Sequence, residues 1–230
     1  MEMIETADHS VDAVPFRRDL IAWGEEHFRS FPWRFTTDPY KVLMAEVMLH
    51  RTQASQVAPI YERFIERYPD TSSLSRVTRE ELHTILYSLG LRWRVDLIMD
   101  MITQINEQFA SQVPQEKADL LCLPGVSDYV ASAVRCFVWN MPDAIVDTNT
   151  VRVVGRIFNM QIKDSSRRNP LYRRLITALV DSNRPRAYNF SLLDLAAQVC
   201  TKVQHPLCVT CPVQKYCLYS SHVGLLTHSN

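Results

Sequence analysis

The sequence carries no net charge: 25 Lys and Arg balance 25 Asp and Glu over 230 residues. Nucleic-acid binders are typically basic, so the sum alone counts against that role. No apolar run approaches the roughly 20 residues that cross a bilayer, which excludes a membrane-spanning helix. There is no low-complexity tract, no internal repeat and no obvious pair of strands. Glycine is scarce, with five residues, and long stretches follow the helical period rather than the alternation of a strand. The opening MEMIETADHSVDA holds four acids and no Lys or Arg. It has the form of neither a signal peptide nor a transit peptide, and residues 1–13 are expected to be a flexible acidic tail. These features point to the cytoplasm, or to the nucleus if the source has one.

What is present reads as globular. The chain is 47% apolar and 22% charged, enough for one large core or two small ones. Charge is unevenly spread. Arg135 to Ala187 holds ten Lys and Arg against four Asp, so a basic face fits on a neutral protein. Nearly every segment reads as helix, and the fold class is all-α. One helix is expected over Phe16 to about Ser30. Asp38-Pro39 starts another, a cap followed by Pro at the first position, expected to run from Tyr40 to about Gln53. Thr78 and Glu81 have capping-box spacing. Val113-Pro114 breaks a long amphipathic helix.

Four of the six cysteines are bunched in CTKVQHPLCVTCPVQKYC, as Cys200, Cys208, Cys211 and Cys217. The spacing is C-x7-C-x2-C-x5-C. A cytosolic protein rarely spends such a cluster on disulfides. Four thiolates within eighteen residues suit a metal centre, either tetrahedral zinc or a [4Fe–4S] cluster, and spacing alone does not choose between them. Cys122 and Cys136 are expected to be small buried hydrophobes.

The stretch LPGVSDYVASAV forms a second focus. Pro124 fixes one φ angle and Gly125 tolerates a positive one, so two short helices can meet at a sharp hairpin. The second helix should start near Ser127 or Asp128, either of which can cap it. The N–H groups at its start can bind a phosphate without reading sequence; the plain alternative is an ordinary helix corner. Asp147, in AIVDTNTVRVVGRIF, precedes a helix. It is either a simple N-cap or a carboxylate held at a positive helix end, ready to stabilise a cation or activate water. Glu46, in VLMAEVMLHRTQ, shares an expected helical face with Val42, Leu49 and Gln53. It either faces solvent at the stripe's edge or is partly desolvated, which favours the protonated carboxyl.

These motifs, DPYKVLMAEVMLHRTQ, LPGVSDYVASAV, VDTNTVRV and the cysteine loop after NFSLLDLAAQVC, stand in the order seen in the helix-hairpin-helix DNA glycosylases. The chain resembles the endonuclease III and adenine glycosylase branch of that superfamily over about residues 16–217. The resemblance implies a two-lobed helical fold with double-stranded DNA bound in the cleft. One lobe spans 38–140. The other joins 14–37 to 141–217 and carries the [4Fe–4S] cluster on Cys200, Cys208, Cys211 and Cys217, with zinc as the alternative; 218–230 is a tail. It implies base excision repair by a nucleoid-associated monomer, with no membrane partner.

By the same resemblance, Asp147 is the catalytic carboxylate, acting on a base flipped from the stack. Glu46 matches the acid that protonates the leaving base. Leu123, Pro124, Gly125, Val126, Ser127 and Asp128 form the DNA-gripping hairpin. Arg51 and Gln53 fall where relatives reach into the duplex or contact the opposite base. Tyr129 stands where endonuclease III-like enzymes carry a Schiff-base lysine, adenine glycosylases a serine and the small mismatch thymine/uracil glycosylases a tyrosine. A phenol cannot form that imine. The expected activity is a monofunctional glycosylase that excises thymine or uracil opposite guanine and leaves an abasic site. The short C-terminus, without the extra domain of adenine glycosylases, points the same way.

Two departures stand out. The hairpin reads Gly-Val-Ser rather than Gly-Val-Gly. The first cysteine gap is seven residues rather than six, and the extra residue is expected to bulge from a Pro-containing loop. Two rival readings follow. One is excision of adenine opposite guanine or 8-oxoguanine, or of another damaged pyrimidine. The other is a non-catalytic DNA-structure binder.

Overall fold

A computed structural model describes residues 2–7, 9–90, 92–203 and 206–220, with only the backbone of Arg92 and Trp93. The expected tail over 218–230 lies mostly outside the described residues. The fold is mostly helical, but the chain opens with a correction. Two strands, β1 (Met3–Glu5) and β2 (Ser10–Asp12), pair antiparallel with Ile4 opposite Val11. Both of those side chains are buried in a core shared with Phe16 and Leu20, so the two strands are no loose tail. Single apolar residues flanked by polar ones give each strand one inward side chain. That signal is too short to stand out from a polar run. Asp12 then caps α1 (Ala13–Glu26), accepting from the Val14 N–H at 3.2 Å.

The residues divide into two compact units, Met1–Arg29 with Met141–Asn230, and Ser30–Asn140. Residues 30–37, expected with the first helix, group with the second unit. A 3-10 turn over Pro32–Phe35 buries Trp33 there, edge-on to Tyr61 at 5.5 Å. Asp38 accepts from the Lys41 N–H at 3.1 Å and Pro39 takes the first position of α2 (Pro39–Leu49). This helix ends four residues earlier than expected, and Gln53 instead stands at the N-cap of α3 (Ala54–Arg67). Gln53 therefore does not share Glu46's helical face. After α4 (Thr71–Leu74) comes α5 (Arg79–Leu86), with the Thr78–Glu81 capping box formed. Next are α6 (Arg92–Gln108), α7 (Lys117–Cys122) and α8 (Asp128–Trp139). Helix α2 packs on α3 and α8, and α5 on α6. Leu43, Met44, Met48, Phe64 and Leu82 fill this unit's core.

Asn140, at φ +54°, ends α8. The chain then returns to the first unit with α9 (Thr148–Ile157), α10 (Pro170–Leu179) and α11 (Pro185–Gln198). Helix α1 packs along α11, α11 on α9, and α9 on α10. Phe16, Leu20, Tyr172, Leu175, Tyr188 and Leu192 close the core. The α1–α11 approach is close because Gly24 has no side chain. A Cβ there would lie 2.0 Å from Ser191 Oγ and 2.9 Å from Ser191 Cα.

Alanine favours a helix over glycine by about 1 kcal/mol. The clash involves the backbone of α11, which yields less readily than a side chain. Gly24→Ala is expected to lower stability by about 1–3 kcal/mol net, the usual range for overpacking. Urea unfolding followed by circular dichroism measures this. An unchanged or raised midpoint would show that the two helices separate freely.

Candidate functional site

Between α7 and α8, the Val126 N–H donates to the Leu123 carbonyl at 3.1 Å across Pro124 and Gly125. Gly125 has φ +78°. Pro at the second position, Gly at the third and that φ are the marks of a type II turn. Leu123 and Val126 are buried beneath it, while Gly125 and Ser127 are exposed. Ser127 caps α8: its Oγ accepts from the Val130 N–H at 3.3 Å, at φ −87°. The serine that replaces the second glycine of Gly-Val-Gly thus sits in ordinary backbone and closes the helix end. Asp128 pairs with Lys117 at 3.0 Å, and Lys117 also donates to Ser132 Oγ at 2.9 Å. Tyr129 is half-buried in the first turn of α8.

The same unit holds Glu46, Arg51 and Gln53. Glu46 is 3% exposed, inside the buried run Val42–Met48. It lies on the desolvated face and not at the solvent edge. Arg51 and Gln53 are exposed on the short connection from α2 to α3. Cys136 is buried as expected, but Cys122 is exposed. It closes α7 at the turn, where α7 has only Leu120 to bury.

Asp147, in the first unit, caps α9. Its Oδ1 accepts from the N–H groups of Asn149 at 2.8 Å and Thr150 at 2.7 Å. Its Oδ2 accepts from Asn149 Nδ2 at 2.7 Å. A carboxylate offers about four acceptor positions, so one remains for a substrate. Asn149 Oδ1 in turn accepts from Arg152 Nη1 at 3.1 Å. Arg152 also donates to the carbonyls of Cys200 at 2.9 Å and Ala196 at 2.8 Å. A line of hydrogen bonds therefore joins Asp147 to the first cysteine of the loop. Neither Asn149 nor Arg152 was picked out by the sequence reading. Their only signal was a spacing of two and five residues from the aspartate on a helix that starts there.

Cys200 follows α11, and its Sγ lies 3.3 Å from Arg156 Nη1. Cys208 and Cys211 bracket one 3-10 turn, and Cys217 follows another over Gln214–Tyr216. Among the described residues, no group of three or more His, Cys, Asp or Glu converges closely enough to hold a metal ion. The donor chemistry is nevertheless that of a thiolate centre. Burial, and after it the neighbouring thiols, push Cys208 and Cys217 up and Cys211 to about 12. These three thiols are held toward the protonated form on their own, and a bound cation would compensate the charge of a thiolate.

The loop is pinned from the chain's beginning. Tyr216 donates to Asp19 Oδ2 at 2.7 Å and packs edge-on against Phe16 at 5.6 Å. Its carbonyl meets His9 Nε2 at 2.8 Å. Lys215 reaches Asp19 at 2.9 Å.

The chain is mostly helical, with two helices joined through a type II turn and a carboxylate-capped helix after them. The chain belongs to the HhH-GPD superfamily of base excision DNA repair proteins, whose sequence profile matches residues 44–175. It is 35% identical over 210 residues to the thymine/uracil-DNA glycosylase of Pyrobaculum aerophilum, covering 88% of this chain and 90% of that one. It is 31% identical to the thymine-DNA glycosylase of Aeropyrum pernix, covering 88% and 93%. The adenine DNA glycosylase of Rattus norvegicus is also 31% identical, over 93% of this chain but only 43% of its own length. The structure of a thermostable thymine-DNA glycosylase superposes with TM-score 0.83 at 29% identity, covering 91% of this chain and 97% of that one. An endonuclease III–DNA complex shares the fold at TM-score 0.77 and 20% identity.

The Asp19 contacts set an acid limit. Partial burial opposes its charge, but hydrogen bonds from Lys215, Tyr216 and Arg18 outweigh that and hold the carboxyl at about 2. The folded value lies below the unfolded one. Its stabilising contribution is therefore complete above about pH 4 and is lost as pH falls through about 2. Asp19→Asn should melt below the parent at pH 5–7, with the gap closing toward pH 2. Melting curves that stay equally far apart at every pH would remove Asp19 from this role.

Proposed function

We propose that the protein is a monofunctional DNA glycosylase that excises thymine or uracil mispaired with guanine, as a monomer on double-stranded DNA. We further propose that Cys200, Cys208, Cys211 and Cys217 hold a [4Fe–4S] cluster. The observation that carries the activity is Tyr129, a phenol at the start of the hairpin's second helix, where an amine would be needed for strand cleavage. The similarity to thymine and thymine/uracil glycosylases, at 31% and 35% identity over 88% of this chain, supports the same choice of base. One observation favours a second reading, adenine excision: the similarity to adenine glycosylases extends over 93% of this chain.

In this reading the hairpin N–H groups take a backbone phosphate, and the target nucleotide leaves the stack. Glu46, buried, delivers a proton to the departing base. Asp147 presents its remaining acceptor position to the oxocarbenium-like sugar as the N-glycosidic bond breaks. Water adds to the sugar and loses a proton, which gives the free base and an abasic site. Tyr129 forms no imine, so the strand stays intact. A bound cluster would supply iron–thiolate bonds that cross-link the cysteine loop, while Arg156 and Asp19 hold that loop from the protein side.

Single-turnover assays on duplexes with G·T, G·U, G·A and 8-oxoG·A pairs, each with and without alkali, test the activity. Alkali-dependent nicking of the T or U strand is expected. Cutting only at adenine would move the protein to the second reading, and nicking without alkali would overturn the argument from Tyr129. Asp147→Asn should cost at least about 10²-fold in rate, the scale of a lost electrostatic stabiliser, while retaining DNA binding. A pure DNA binder would be unaffected. Purified protein should be yellow-brown, with absorption near about 400 nm from iron–sulfur charge transfer. A colourless protein with stoichiometric zinc would overturn the cluster.

A further inference from the structure

Helix α2 stops at Leu49 without glycine or proline. The chain then turns through His50, Arg51 and Thr52 into α3, with Arg51 at φ +64°. Left-handed backbone costs a residue with a side chain roughly 1–2 kcal/mol, and the last carbonyls of α2 need donors. Arg94, in the first turn of α6, meets both needs. It is 3% exposed. Its Nη1 donates to the Val47 carbonyl at 2.6 Å, and its Nη2 contacts the His50 carbonyl and His50 Nδ1. A planar guanidinium can reach several acceptors from one side chain, which an ammonium does less well. A cation at a helix C-terminus is also favoured by the helix dipole. Burial, and after it the Arg51 charge, pull Arg94 down to about 10.

The next residue on the same face of α6 serves the hairpin. Leu97 Cβ lies 3.4 Å from the point where a Cβ on Gly125 would stand. Residues three apart on a helix are neighbours. One short stretch of α6 therefore supports both the α2–α3 connection and the hairpin turn. Between them is a cavity of about 100 Å³ lined by Val47, His50, Arg94, Leu97, Pro124 and Gly125. Arg51 and Gln53 are exposed on the connection that follows His50, whereas Arg94 is too buried to touch a duplex itself.

We propose that Arg94 is a positioning residue for DNA recognition: from α6 it fixes the Arg51–Gln53 connection in register with the hairpin turn, so that both address the same duplex. The proposal rests on the glycosylase reading for the roles of Arg51, Gln53 and the hairpin.

The test is a double-mutant cycle read by binding. The probe is a fluorescent duplex with a non-cleavable 2′-fluoro thymidine opposite guanine, and the readout is anisotropy. The proteins are the parent, Arg94→Met, Arg51→Ala and the double variant. Arg94→Met should weaken binding about tenfold, and adding Arg51→Ala should cost little more, because Arg94 acts through that connection. The single-turnover rate at saturating enzyme should stay within about threefold, a loss in binding rather than in chemistry. Arg94→Lys, which keeps the charge but not the fork, should recover only part of the affinity. Additive losses in the double variant, or unchanged binding by Arg94→Met, would overturn the proposal. If Arg94→Met gives no cooperative melt, the same cycle is run with Arg94→Lys. If the parent binds the probe but excises nothing from natural duplexes, the activity reading fails, and the binding cycle still decides the role of Arg94.

Discussion

A helix cannot begin without leaving N–H groups unpaired, and at α9 the Asp147 carboxylate takes two of them. That cap does more than start the helix. With Oδ1 held by two backbone donors and Oδ2 by the Asn149 amide, the plane of the carboxylate is fixed. Arg152 then holds Asn149 and reaches the carbonyls of Ala196 and Cys200. A group meant to stabilise a developing cation gains from being held in place beforehand. The capping reading and the catalytic reading of Asp147 are therefore not rivals: the geometry that makes it a good cap is the geometry that orients it.

The first unit extends the same logic to the two ends of the described chain. Val213, between the third and fourth cysteines of the loop, is 1% exposed and belongs to the core that contains Ile4, Val11 and Phe16. His9, Phe16 and Asp19 then meet Tyr216 from one side, and Arg156 meets Cys200 and Thr201 from the other. The loop leaves Val203, Leu207 and Val209 exposed and buries Val213. Contacts from residues about 200 positions earlier in sequence supply much of its order.

What could be read from the sequence was what local chemistry determines. Asp38-Pro39, Thr78 with Glu81, Pro124-Gly125 and Asp147 all mark helix boundaries through groups within three residues of one another, and all four appear as read. What could not be read depends on distant partners. The end of α2 has no breaker in its sequence, because Arg94, 47 residues from Val47, supplies the donors that end it. The two strands look like a polar tail because each turns one side chain inward, Ile4 and Val11, and their burial depends on the core beneath them. Glu46 was ambiguous for a related reason. An acid in an apolar run can lie at the edge or the centre of a helix face, and only the packing of α2 on α8 and α3 decides it.

The caps of α8 and α9 show how one geometry can serve opposite charges. Both helices start with a side-chain oxygen bonded to a backbone N–H of the first turn. At α8 the cap is a neutral hydroxyl, Ser127, and the first-turn acid Asp128 is paired with Lys117. The positive end of that helix is left largely uncancelled, which suits a phosphate. At α9 the cap is a carboxylate, which offsets the helix end and would repel a phosphate while attracting a cation. Exchanging the two caps would keep both helices, since Ser and Asp cap about equally well. On the proposed function it would also set a carboxylate against the DNA backbone at α8 and leave nothing at α9 to meet a positive sugar. Helix formation therefore does not choose between serine and aspartate at these two positions, whereas their charge tells them apart.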